Sequence, residues 1–272
     1  MAAGAASQYF RDDEDFMADT TNAIKLYLLG GLELAGAVDP TLAHRLLAQP
    51  KLTALLAFLA LSPEQRPQRR DRIVGLLWPE LDQGHARTAL RKGVHAIRSA
   101  LGAEALWNRG DEEIGLAMPP VWCDAVESRA AADAGRMLRV HELYKGELLE
   151  GFHLPGCGEF QHWLDIERSE ARERAAAAAW GLACIFERDQ RFTDAGMMAK
   201  RAVRYSSDDE RVLRRTMTML QRIGDHAGAL KLFDEFAARM RNELNADPSP
   251  ETMKLVSSLR SSTGSETLHT GD

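Results

Sequence analysis

Basic side chains recur at helical spacing in segment 86–102, which reads ARTALRKGVHAIRSALG. On a helical wheel they form one row, about a quarter-turn from an apolar face, and this basic row consists of Arg87, Arg91, His95 and Arg98. Guanidinium groups pair with guanine edges in the major groove and with phosphates along the backbone. The segment therefore has the design of a DNA recognition helix, although an amphipathic surface helix has the same pattern.

The apolar face of this segment predicts that the helix packs against a core. It consists of Leu90, Val94, Ile97 and Leu101. Burial of that face would leave the basic row exposed. The surrounding charge agrees, because residues 51–110 carry ten basic and five acidic side chains, a net +5. The rest of a chain whose total is −6 therefore carries −11, as expected when one basic module is joined to an acidic one.

The composition bounds the class of protein. A chain of 272 residues with 45% hydrophobic and 27% charged residues predicts about two globular domains. It contains neither an apolar run of membrane-spanning length nor a secretory signal, so we expect no membrane association and a cytoplasmic protein. The three cysteines have no CxxC spacing and predict neither a disulfide framework nor a zinc ribbon.

Catalytic and metal-binding patterns give little support for an enzyme. The sequence has no Gly-rich phosphate loop, no GxSxG elbow and no HExxH helix. His153, Cys157 and His162 could be imagined as metal ligands, but isolated trios at such spacings are more often incidental. We expect no enzymatic activity, no cofactor and no metal.

The first half of the chain has the pattern of a winged helix-turn-helix. Residues 1–22 are acidic and predict a mobile tail, and residues 24–34 predict two short antiparallel strands. Three helices and a hairpin complete the pattern, at 51–61, 69–78, 86–102 and 106–116. The predicted α+β domain spans 23–123, and its third helix would enter the major groove.

The second half predicts an all-α domain over residues 124–260, followed by a disordered tail at 261–272. A long Ala-rich and Arg/Glu-rich helix is expected within 159–189. Ala195 and Ala229 lie in similar segments 34 residues apart, the period of tetratricopeptide helix pairs. An ordinary helical bundle is the alternative.

The order of these segments resembles the Streptomyces antibiotic regulatory protein family. The resemblance covers about residues 24–260. It rests first on KLTALLAFLAL, RRDRIVGLLWPEL, ARTALRKGVHAIRSALG, EIGL and the Cys123-Asp124 pair. In the second half, YKGELLEGF, WLDIER, GDHAGAL and ELNADPSPET resemble that family's bacterial transcriptional activator domain. The resemblance implies a transcriptional activator with a DNA-binding half similar to that of response regulators. The nucleotide-binding and sensor domains of larger members have no counterpart here, and the polar C-terminal end is either a tail or the start of a linker.

The resemblance also implies the DNA contacts. By analogy with the family's third helix, the candidate contacts are Arg87, Thr88, Arg91, Lys92 and His95, and Arg98 could reach a phosphate. The second predicted helix begins with further arginines, and we expect these to hold the DNA backbone near the positive helix end: Arg69, Arg70 and Arg72. Arg109 at the hairpin tip is an additional candidate. A solvated surface charge is the alternative for each cation.

The expected partners follow from the same analogy. They are double-stranded promoter DNA, RNA polymerase holoenzyme contacted by the acidic loop at 79–84, and a second copy of the chain bound through the helical half. A solvated connector is the alternative for the loop. A homodimer would favour repeated half-sites about one helical turn apart, and family analogy favours direct repeats. The competing hypothesis is a helical-repeat adaptor that does not bind DNA and uses the winged helix for protein contacts.

Overall fold

The computed structural model describes residues 24–62, 66–206 and 208–266. They form two compact units. Of the described residues, the first unit combines those up to Glu127 with Lys145–Ile166, and the second combines Ser128–Tyr144 with those from Glu167 on. The chain passes between the units at three points, and two of these fall within helices, Asp124–Asp133 and Gly158–Arg188. The acidic segment predicted as a tail, 1–22, lies outside the described residues.

The first unit opens with strands and short helices. Its described elements are β1 (Ile24–Tyr27), β2 (Glu33–Ala35), α1 (Pro40–Leu47), α2 (Pro50–Ala60), β3 (Gln68–Arg69), α3 (Arg70–Leu77), α4 (Gln83–Leu101), β4 (Leu106–Arg109), β5 (Glu113–Leu116) and β6 (Val121–Cys123). A single 3-10 turn, Ala103–Ala105, joins α4 to β4. The predicted antiparallel strand pair, three helices and hairpin are all present, with boundaries shifted by a few residues.

Helix α1 was absent from the sequence-based prediction. Its signals are nevertheless local, because Asp39 caps the helix by accepting from the backbone N–H groups of Thr41 and Leu42, and Pro40 occupies the first turn. Aspartate followed by proline is a recognised helix start. The eight-residue length of α1 made its periodicity too short to detect.

The strands form two separate three-stranded sheets. In one, β1 lies between β2 and β6, antiparallel to β2 and parallel to β6, with Ile24 opposite Val121. In the other, β5 lies between β3 and β4 and is antiparallel to both. Trp107 of β4 faces Gly115 of β5, where a Cβ would come within 2.7 Å of the indole nitrogen. The glycine therefore admits the ring against the strand.

The apolar face of α4 joins the core as predicted. Each of its four residues is at most 5% exposed. Gly93 lies on the buried side as well, and a Cβ there would be 2.9 Å from a methyl group of Leu52. This glycine lets α4 approach α2 closely. With that side of α4 against the core, its basic side chains are left on the surface.

The segment Lys145–Ile166, which comes later in the chain, completes the first unit. The N–H of Leu149 donates to the carbonyl of Leu28 at 2.7 Å, and Leu148 forms a bridge with Leu29. Trp163 packs edge-on against Phe58, with 5.0 Å between ring centroids. These contacts explain why Lys145–Ile166 belongs to the first unit.

Asp124, the second residue of the Cys-Asp pair, has a structural position in the first unit. Its buried carboxylate accepts from the N–H groups of Leu28 and Leu29, at 2.8 and 3.0 Å. Burial raises the pKa of Asp124, while these donors oppose the rise. The residue thus satisfies backbone groups where β1 ends. Burial likewise raises the pKa of the neighbouring Cys123 thiol to about 12.

The described elements after β6 are helical. They are α5 (Asp124–Asp133), α6 (Met137–Leu143), α7 (Gly158–Arg188), α8 (Phe192–Tyr205), α9 (Glu210–Arg222), α10 (His226–Leu244) and α11 (Pro250–Glu266). Helix α7 corresponds to the predicted long helix. Helix α11 ends at Glu266, so the first residues of the predicted tail at 261–272 are helical, and residues 267–272 lie outside the described residues.

The 34-residue period coincides with helix starts in the second unit. Ala195 and Ala229 are both fully buried, and the first residues of their helices, Phe192 and His226, have the same separation. The following helices depart from the period because α10 has 19 residues and α8 has 14. Together α8 to α11 enclose a core that includes Phe233 and Phe236.

Within the described ranges, no helix is both long enough and apolar enough to cross a membrane. The same residues include no grouping of His, Cys, Asp and Glu suited to a metal ion. Of the suggested trio, His153 contacts Gln161, and the Cys157 thiol donates to the Leu77 carbonyl. The three cysteines are free thiols; Cys123 and Cys157 are buried and Cys184 is exposed.

Candidate nucleic-acid interface

Helix α4 presents the candidate DNA contacts, and its start is firmly capped. The Asp82 carboxylate accepts from the N–H groups of Gly84 and His85, at 3.0 and 3.1 Å. Such a cap satisfies donors that a helix start otherwise leaves open. The first turns of α4 are therefore ordered, and these turns carry Arg87, Thr88 and Arg91.

A groove with a volume of about 470 Å³ runs beside these turns. We call it the arginine groove, and its lining consists of Arg69, Arg70, Asp71, Arg87, Leu90, Arg91, Asp111 and Glu112. The residues come from the end of β3, from the start of α3, from α4 and from the turn between β4 and β5. Four sequence-predicted contacts are thus brought to one place although they lie on separate elements.

Two arginines of the groove are ion-paired within the unit. Arg87 lies 2.9 Å from Asp71, and Arg69 lies 3.5 Å from Glu112. All four side chains are more than half exposed. Exposed pairs of this kind contribute at most about 1 kcal/mol, so either arginine can exchange its partner for a phosphate.

Arg70 lies deeper and close to other cations. Its guanidinium donates to the Asn108 side chain at 3.2 Å. Burial lowers the pKa of Arg70, and the positive charges of Arg98 and Arg91 lower it further, while Asp111 opposes them. An arginine remains protonated despite such a shift. Arg91 and Arg98 therefore lie close enough to Arg70 to act on its charge, although burial is the larger cause of the shift.

Arg98 differs from the other members of the basic row. It is half-buried and donates from Nη2 to the backbone carbonyl of Leu106 at 3.1 Å. This bond ties the last turn of α4 to β4. The wheel placed Arg98 in line with Arg91 but could not show that β4 covers this end of the helix.

Thr88, Lys92 and His95 are further candidates on α4. Thr88 accepts from Arg91 at 3.0 Å and donates to the Gly84 carbonyl at 3.0 Å, so its hydroxyl positions the Arg91 side chain. Lys92 and His95 are exposed, and neither side chain has a hydrogen bond or ion pair with another described residue. Both are available to an external partner.

Two remaining candidates lie outside the arginine groove. Arg72 is exposed, donates to Gln68 at 2.9 Å and lies over the Phe58 ring at 5.4 Å. Arg109 is 3.6 Å from Glu113 across the base of the hairpin turn. Arg72 and Arg109 thus have different partners from Arg87 and Arg91, and both side chains are exposed.

The residues that sequence reasoning missed are the polar and acidic members of the site: Asp71, Asn108, Asp111 and Glu112. Asn108 and Asp111 lie within the predicted hairpin at 106–116. Asp71 contacts Arg87 of a different helix, and no local spacing predicts that pair. The hairpin sequence itself, with Glu112 and Glu113 following Asp111, was the available signal of negative charge.

The acidic loop before α4 is partly committed to internal contacts. Glu80 pairs with Lys51, and that hydrogen bond lowers the pKa of Glu80. Asp82 caps α4, and the hydrogen bond from His85 lowers its pKa. Leu81 between them is 40% exposed. The loop thus presents one exposed large apolar side chain.

Comparison with protein families defines the class of the chain. The model of the bacterial transcriptional activator domain matches residues 124–260. Because this match spans half of the sequence, the chain belongs to the bacterial transcriptional activator domain family. The resemblance to the Streptomyces antibiotic regulatory proteins is confirmed, and the class is a transcriptional regulator of that type.

Comparison with solved structures gives a similar fold. Mycobacterium tuberculosis EmbR, in complex with a low-affinity phosphopeptide, matches with a TM-score of 0.55 and 18% sequence identity. The alignment covers 88% of this chain and 65% of the EmbR chain, so this chain spans less than two thirds of EmbR. At that identity the likeness concerns the fold alone. A search of curated proteins gave no match.

Proposed function

We propose that this chain is a sequence-specific DNA-binding activator that contacts promoters through α4. The observation that carries the proposal is the two-sided character of this helix. Leu90, Val94 and Ile97 are buried on one side, while Arg87, Arg91 and Lys92 are exposed on others. A helix anchored in this way can enter the major groove without losing its core contacts.

In this proposal the predicted domain at 23–123 acts as a winged helix-turn-helix. Arg91 and Lys92 are assigned to base edges and adjacent phosphates, with Thr88 holding Arg91 in position. Arg69 and Arg70 at the start of α3 are assigned to the DNA backbone, with help from the positive end of that helix. The hairpin β4–β5 would lie near the neighbouring backbone.

Activation requires partners beyond DNA. We assign RNA polymerase contact to the loop at 79–84, with exposed Leu81 as its apolar element. We assign homodimer formation to the helical half at 124–260, with tetratricopeptide-like helix pairs as its scaffold. Sedimentation of the chain at several concentrations tests the dimer. A regulator of this kind acts on promoters in the bacterial cytoplasm.

The test is selection of bound genomic DNA followed by a salt series. Fragments retained by the protein are sequenced, and the best site is used to compare the wild type with the double variant Arg91→Ala, Lys92→Ala. The matched control is Lys231→Ala, Arg260→Ala, which removes the same charge from exposed positions of the second unit. Circular dichroism establishes that each variant is folded.

Loss of two phosphate contacts should flatten the slope of log K against log salt by about 1.8. Loss of a base contact should relax the sequence preference by about 1–3 kcal/mol at one position. The control should retain both the slope and the preference. An unchanged slope and affinity in the folded α4 variant would sink the recognition-helix assignment and favour the adaptor that does not bind DNA.

A further inference from the structure

We propose that Asp71 and Glu112 restrain the arginine groove, so that DNA of arbitrary sequence binds weakly. The inference rests on the proposed DNA-binding function and deepens it. It assigns a role in specificity to two carboxylates that repel the phosphate backbone rather than contact it favourably.

The first observation is the pairing within the groove. Asp71 holds Arg87 at 2.9 Å, and Glu112 holds Arg69 at 3.5 Å. The two pairs join different elements, α3 to α4 and β3 to the hairpin turn. In the free protein, two of the four arginines that line the groove therefore already have an anionic partner.

The second observation is the charge of the groove. Its lining includes four arginines and three carboxylates, the third being Asp111. The net charge is therefore only +1, although the arginines alone would give +4. Sequence-independent DNA binding depends almost entirely on such charge, because cations that neutralise phosphates release counterions.

The physical consequence is a competition. A phosphate that takes Arg87 must displace the carboxylate of Asp71, which remains attached to α3 and repels the phosphate at short range. Exposed ion pairs contribute little to folding stability. The carboxylates nevertheless compete with an incoming phosphate for the same arginines. Specific DNA compensates through base contacts, whereas arbitrary DNA does not.

The experiment measures binding to a 20-base-pair duplex of random sequence by fluorescence anisotropy over a salt series. The variants are Asp71→Asn and Glu112→Gln, singly and together. Each substitution keeps the shape of the side chain and removes one negative charge. Releasing one arginine adds about one phosphate contact, which corresponds to about eightfold tighter binding near 0.1 M salt and a slope steeper by about 0.9.

The matched control is Glu33→Gln. Glu33→Gln removes one negative charge, as each groove variant does. Glu33 is exposed on β2, in the sheet that does not include β3 or the hairpin, so the change lies outside the arginine groove. A second comparison places Asp71→Asn in an Arg87→Gln background. If Asp71 acts by holding Arg87, its gain should shrink there to the level of the control.

The outcomes separate this inference from the proposed function. Wild-type binding with a gain in the groove variants beyond the control supports the inference. Wild-type binding with no such gain overturns the inference and leaves the function intact. If no variant binds any duplex, both fail. If only the variants bind the random duplex, the restraint stands, and the proposed function is then decided by whether the wild type binds the selected site.

Discussion

Gly30 and Gly146 contact each other through their backbones in the first unit. A Cβ on Gly146 would lie 2.7 Å from the Cα of Gly30, and a Cβ on Gly30 would lie 2.7 Å from the Gly146 nitrogen. We predict that Gly146→Ala lowers the free energy of unfolding by about 1–3 kcal/mol, because backbone atoms cannot yield as a flexible side chain does. Urea unfolding followed by circular dichroism measures this loss.

The control for this prediction is Gly31→Ala. Gly31 is next to Gly30 in the chain, yet a Cβ there would have no heavy atom within 4 Å. Its unfolding free energy should stay within about 0.5 kcal/mol of the wild type. Equal losses in the two variants would show that the close approach of Gly30 and Gly146 does not limit this fold.

The sequence predicted elements wherever a local pattern was sufficient. Alternation and helical periodicity identified β1, β5 and α4, and the apolar face of α4 is buried as expected. The contacts of segment 145–166 with the first unit were not predicted. They depend on pairings such as Leu29 with Leu148, which are far apart in the chain and leave no mark in local periodicity.

The sequence predicted the arginines of the candidate site but not the carboxylates that pair with them. Spacing identified the basic row from one helix alone. The partners of Arg87 and Arg69 lie on other elements, so only the folded chain brings Asp71 and Glu112 to them. Arg98 was assigned with Arg91 because a wheel treats all turns alike, whereas β4 covers only the last turn of α4.

Arg98 and Arg91 should differ when each is replaced by alanine. Arg98→Ala removes the hydrogen bond to the Leu106 carbonyl and should lower the free energy of unfolding by about 1 kcal/mol. Arg91→Ala removes an exposed side chain and should change it by less than about 0.5 kcal/mol. Urea titrations of the two variants test this directly. Similar losses would contradict a structural role specific to Arg98.

Leu81 should affect transcription without affecting DNA binding. Leu81→Ser removes the exposed apolar side chain of the loop before α4 and leaves the Asp82 cap in place. We expect a several-fold loss of activated transcription in a reconstituted assay, with unchanged affinity for the selected DNA site. Val38→Ser, at a residue that is 72% exposed in the same unit, is the control. Equal activity of both variants would remove Leu81 from the polymerase contact.

Glu210 should make the second unit less stable in acid. Its carboxylate accepts from the N–H of Ser249 at 3.1 Å and from the hydroxyl groups of Ser249 and Thr252, with Arg214 at 3.5 Å. Burial acts to raise the pKa of Glu210, but these hydrogen bonds outweigh it and hold the pKa below its usual 4.5. The bonds join the start of α9 to the start of α11.

Because the pKa is lower in the folded state, ionised Glu210 stabilises the fold above its unfolded pKa, and that contribution is lost as pH falls through the folded pKa. Glu210→Gln should cost about 1–3 kcal/mol at pH 7, and the difference from the wild type should shrink in acid, below the usual pKa of 4.5. Urea unfolding at a series of pH values measures both. Glu243→Gln, at an exposed position of α10, should show neither effect. If the difference in unfolding free energy between wild type and Glu210→Gln is constant with pH, the ionised carboxylate does not contribute to stability. The loss would then come from the change of side chain alone.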